Sequence, residues 1–62
     1  MKLNLDPEIL QKRYAIKGFL ESAENDLEKA QKRGNKESVA TYTYLVGEYQ
    51  IMLEEFDEYY DL

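Results

Sequence analysis

The sequence predicts an all-α fold: a two-helix antiparallel hairpin that dimerises into a four-helix bundle. Three observations carry this expectation. Apolar residues recur at helical spacing through two long segments. The only break between them is Gly34-Asn35, and helices joined that tightly run antiparallel. The chain has 62 residues and neither cysteine nor histidine, so no disulfide or histidine-bound metal can staple so small a core. Association with a second copy is the remaining way to enlarge it.

The expected organisation is one domain over residues 1–62, with helix 1 at about 7–33, a turn at 34–35 and helix 2 at about 36–59. Asp6 can accept hydrogen bonds from the first free amides of helix 1. Pro7 suits the first helical position, where its missing N–H costs nothing. Glu8 faces the positive end of the helix dipole. Ile16, Leu20, Ala23, Leu27 and Ala30 follow at 4-3-4-3 spacing, a heptad seam that Arg13 interrupts. Lys29, Lys32 and Arg33 suit the last turn, and Gly34 suits the left-handed cap.

Asn35 and Glu37 open helix 2. Its seam runs Val39, Tyr42, Val46, Tyr49, Leu53, Phe56 and Tyr60, and Leu45, Met52 and Tyr59 widen it on one side. That stripe is broader than the narrow helix 1 seam can cover. The expected core and dimer contacts are Ile16, Leu20, Leu27, Tyr42, Val46, Tyr49, Met52, Leu53 and Phe56, with helix 2 nearer the centre of the bundle. Gly18 and Gly47 stand off both seams, and each costs about 1 kcal/mol against alanine. Leu10, Tyr14, Tyr44 and Ile51 also fall off the stripes and read as exposed contact spots or as ordinary surface.

Charge divides the chain sharply. Residues 1–36 hold all eight basic side chains and six acidic ones, whereas residues 37–62 hold seven acidic and no basic ones. The net charge of −5 disfavours phosphate backbones and anionic lipid and favours a basic protein partner. With 34% charged residues and no apolar run near the ~20 needed to span a bilayer, no membrane segment is expected. Met1-Lys2-Leu3-Asn4-Leu5 is too short and polar for a signal peptide, which makes the cytoplasm the default location.

No motif supports catalysis or a cofactor. Serine and threonine have no histidine to activate them, and the glycines form no phosphate loop. A di-iron bundle would need Glu-x-x-His pairs, and Asp57–Asp61 is too short and aromatic for a calcium loop. Glu54, Glu55, Asp57 and Glu58 read as a solvated run rather than an acid–base set. They sit at a helix end where the dipole disfavours negative charge. In an antiparallel pair whose facing residues sum to about 69, Arg13 meets Phe56 and its acidic neighbours. Lys12, Arg13 and Lys17 then cap only part of that acidity.

One likeness can be drawn from Tyr14-Ala15-Ile16, Thr41-Tyr42, Leu45-Val46 and Tyr49. These segments resemble parts of the two helices of the small acidic antirepressor that acts on AbrB. The resemblance covers about a third of the chain and implies a dimerising helical hairpin that presents DNA-like negative charge to a repressor. It transfers no recognition residue.

The functional expectation is a non-enzymatic protein that inhibits or modulates a partner with a basic surface, without binding nucleic acid itself. A DNA-mimic antagonist of the kind carried by phages or mobile elements is its specific form. Glu48, Glu54, Glu55, Asp57, Glu58 and Asp61 are the candidate contacts, with Tyr59 and Tyr60 as apolar anchors. The alternatives are a coiled-coil-like scaffold subunit whose acidic end only confers solubility, and insertion of helix 2 into a partner's groove.

Overall fold

Two helices make up the fold: α1 (Pro7–Arg33) and α2 (Lys36–Tyr59). The computed structural model describes residues 6–61. The readings that fell on Met1–Leu5 lie outside the described residues.

Local chemistry sets each helix end. The Asp6 carboxylate accepts from the Glu8 amide at 2.9 Å, and Pro7 follows as the first helical residue. At the far end Gly34 adopts φ 70°, in the left-handed region where a β-carbon clashes with the carbonyl. Its N–H donates to the Gln31 carbonyl and that of Asn35 to the Ala30 carbonyl, both at 3.1 Å. This pair of bonds is a Schellman motif, which satisfies carbonyls the helix would otherwise leave free. Asn35 closes one helix and opens the next, because its side-chain oxygen accepts from the Ser38 amide at 3.1 Å. Only Gly34 and Asn35 separate the helices, so α2 folds straight back along α1.

The seam explains how closely the helices approach. Among the described residues, Ala23 and Ala30 are the only buried hydrophobic ones, at 5% and 4% exposure. Methyl groups at these points let the α1 backbone approach α2 closely. The larger seam residues Ile16, Leu20, Leu27, Val39, Tyr42, Val46, Tyr49, Leu53 and Phe56 are half-buried. Met52, expected with them, is 44% exposed and lies beside the seam. Two cylinders touching along a line cannot surround a large side chain, and none here is fully buried.

The shape follows from that geometry. The Cα atoms span 48 × 16 × 11 Å with a radius of gyration of 14.2 Å. A compact chain of this length would have a radius near ~10.6 Å. The hairpin is a rod one layer thick.

Two outcomes follow for unfolding experiments. Ala23→Leu forces three extra carbons into the closest helix contact and should lower stability by about 1–3 kcal/mol in chemical denaturation. The same change at exposed Ser22 should move it by less than about 0.5 kcal/mol. Gly34→Ala should cost about 1 kcal/mol through its positive φ, although its surroundings are open.

Candidate interaction surface

Heptad rows around α2 sort its residues by flank, because positions seven apart lie nearly in line. On one side of the seam stand Tyr42, Tyr49 and Phe56, and beyond them Leu45, Met52 and Tyr59. On the other side stand Thr43, Gln50 and Asp57, and beyond them Gly47, Glu54 and Asp61. The rows facing away from α1 hold Tyr44, Ile51 and Glu58, and then Thr41, Glu48 and Glu55. The helix therefore has an apolar flank, an acidic and polar flank, and a mixed outer face.

Contacts across the hairpin agree with this assignment. The rings of Phe19 and Tyr49 stack at 5.8 Å between centroids. A shallow groove beside them is lined by Ala23, Tyr42 and Leu45. On the opposite side Arg13 reaches across to Asp57. Its Nε donates to Oδ1 at 2.7 Å and an Nη to Oδ2 at 3.0 Å. Arg13 thus pairs with Asp57, the neighbour of Phe56, and the Arg13–Asp57 and Phe19–Tyr49 contacts lie on either side of the register the sequence suggested. A guanidinium fork fits two carboxylate oxygens, whereas a phenyl ring offers it no acceptor. The hydrogen bond to Asp57, helped by that residue's charge and opposed by slight desolvation, raises the Arg13 pKa above its ordinary value. A base with a raised pKa contributes its full stabilisation below its ordinary pKa. That contribution is lost only as pH climbs through the higher value, far above neutrality.

The ion pair removes Asp57 from the set of free acidic groups. Glu48, Glu54, Glu55, Glu58 and Asp61 are all exposed, and none of them forms a salt bridge with another of the described residues. The second salt bridge among the described residues, Lys32 with Glu28 at 3.3 Å, lies near the turn. Lys12 and Lys17 are exposed and, among the described residues, have no acidic partner within salt-bridge distance. The acidity at the open end of the hairpin is therefore largely uncompensated.

The aromatic anchors separate from one another. Tyr59 is 81% exposed and borders a shallow depression with Glu55 and Glu58. Tyr60 is half-buried, its ring 4.7 Å from Phe56 and 4.8 Å from Tyr59 between centroids. The helix stops here without help from its dipole, since its last turn holds no basic residue. The Tyr60 N–H donates to the Phe56 carbonyl at 3.1 Å and that of Asp61 to the Glu58 carbonyl at 3.3 Å. Asp61 has φ 54°, one of the few residue types that tolerates this region without being glycine.

Sequence spacing missed Phe19, which lies one position from the α1 seam and is 56% exposed. Its heptad partners Lys12 and Asp26 are charged, so it joins no apolar row and only the folded pair reveals its place beside Tyr49. Among the described residues, no helix is long and apolar enough to cross a membrane. No cluster of three or more acidic side chains there has the geometry of a metal site. No protein-family model, curated protein or solved structure matches the chain.

The Arg13–Asp57 pair is partly solvated, so its worth is that of a well-aligned surface pair. Arg13→Ala should lower stability by about 1 kcal/mol, and Arg13→Lys should recover only part of that because an ammonium cannot bridge both oxygens. Adding Asp57→Ala to Arg13→Ala should cost little more, which a double-mutant cycle would read as coupling.

Proposed function

We propose that this chain is a non-enzymatic, homodimeric interaction protein that binds and inhibits or modulates a partner with a basic surface. The observation that carries this reading is the set of exposed, unpaired carboxylates at the open end: Glu48, Glu54, Glu55, Glu58 and Asp61. Solvated carboxylates at a helix C-terminus oppose the dipole by about 0.3–1 kcal/mol each, so local stability does not account for them. They supply a directional field that attracts a basic surface and speeds encounter. Tyr59, exposed between Glu55 and Glu58, supplies the apolar contact that charge alone lacks. Asp57 takes no direct part and serves to hold the two helices in register through Arg13.

The basic surface most complementary to such a field is one that normally receives nucleic acid. Occupying that face is the form of antagonism the charge placement supports best. The likeness to the AbrB antirepressor points the same way. A second reading, a scaffold subunit, draws support from Leu10, Tyr14, Tyr44 and Ile51, which are exposed off the seam.

The two readings separate by salt and by mutation. Affinity capture from the native cell at low salt should recover a basic protein. Its affinity for the purified chain should fall more than about tenfold between about 50 and about 300 mM salt. Glu54→Gln, Glu55→Gln and Glu58→Gln together should weaken binding at least as much while leaving helicity by circular dichroism intact. Binding that ignores both salt and these substitutions would sink the acidic docking surface and leave the scaffold reading standing.

A further inference from the structure

The apolar flank of the hairpin is unoccupied. Phe19 and Met52 are 56% and 44% exposed, and Leu45, Tyr49 and Phe56 beside them are only half-buried. We infer that a second copy of this chain covers this flank, packed head-to-tail so that the turn end of each hairpin lies over the open end of the other. The inference rests on the homodimer proposed above and adds to it the face and the orientation.

Area argues for a second copy as the occupant. The accessible surface is 5102 Å², where a compact monomer of this mass would expose about 4,200 Å². The excess, about 900 Å², is close to the ~800 Å² that each partner gives to an interface of standard size. The flank is also one layer of an unfinished sandwich. Two helices side by side form a single layer, and a twin layer would convert its half-buried seam into a core.

Charge decides the orientation. Residues 28–37 at the turn end carry four basic and two acidic side chains. Residues 6–13 and 54–61 at the open end carry seven acidic and two basic ones. Side-by-side helices lie about 8–10 Å apart, within a screening length at physiological salt. A parallel pair would crowd the two acidic ends together. The head-to-tail pair brings opposite ends together instead. Glu54 and Asp61 lie on the other flank and stay accessible to a basic partner in this arrangement.

Sedimentation of the purified chain should give a dimer, with an unfolding midpoint that rises with protein concentration. Phe19→Glu with Met52→Glu should shift the species to monomer. Phe19 also stacks on Tyr49 within the hairpin, so circular dichroism should show the variant's helicity unchanged and Met52→Glu alone, at a side chain outside that stack, should weaken the dimer in the same direction. Spin labels on Lys36→Cys, beside the turn, should lie beyond about 30 Å apart in the dimer, because α2 alone extends about 36 Å. A monomer at every concentration would overturn the homodimer itself. A dimer that survives the double glutamate change would overturn the flank. Labels closer than about 20 Å would overturn the head-to-tail orientation. None of these readouts involves the basic partner, so they stand or fall separately from the acidic docking surface.

Discussion

Two helices lying side by side touch along a line, and a line of contact cannot enclose a large side chain. That constraint governs the rest of the molecule. The seam is covered where α1 offers methyl groups, at Ala23 and Ala30, and among the described residues only these two are buried. Larger residues on both helices are pushed to the edges of the seam. Leu45, Tyr49 and Phe56 spill onto one flank and leave apolar surface in water. The energetics of such a hairpin are therefore dominated by its helix ends and one seam, because the large side chains are only half-buried.

Most of the fold could be read from the sequence because local chemistry decides it. Asp6-Pro7, Gly34 and Asn35 are residue types whose caps require no knowledge of the partner helix. The two-residue connection then leaves little choice but an antiparallel pair. Side-chain pairing was less legible because it depends on register. Spacing set Arg13 opposite Phe56 among acidic neighbours, and only the folded pair singles out Asp57 as the partner of one defined ion pair. The flank assignment was harder still. Phe19 belongs to no apolar row of its own helix, and its role appears only when Tyr49 is placed beside it. Tyr59 and Tyr60 are adjacent in sequence, yet one stands in solvent and the other leans on Phe56. Near a helix end, a 100° step per residue is enough to separate them.

The open end shows how sequence-level charge becomes surface charge. Arg13 reaches only one carboxylate, because a bidentate fork saturates both oxygens of a single partner. Lys12 and Lys17 form no salt bridge with another of the described residues, so the pairing seen there leaves most of the acidity of α2 in place. The helix dipole compounds the effect, with its negative end on the same turns as Glu55 and Glu58. The resulting field arises from the placement of a few residues rather than from the overall composition.

Apolar association and acidic attraction would interfere if they shared a surface, since carboxylates buried in a dimer face would have to be desolvated or neutralised. The heptad rows of α2 keep them apart. The row of Leu45 and Met52 and the row of Glu54 and Asp61 lie on opposite sides of the seam, and the seam itself faces α1. Arg13 and Asp57 close the acidic side of that seam, while Phe19 and Tyr49 close the apolar side. Tyr59, at the end of the Leu45 and Met52 row and beside Glu55 and Glu58, borders both surfaces, and the rest of each flank can be engaged without disturbing the other. A bare two-helix hairpin can serve two contacts at once because its thinness leaves both flanks of one helix in reach of solvent.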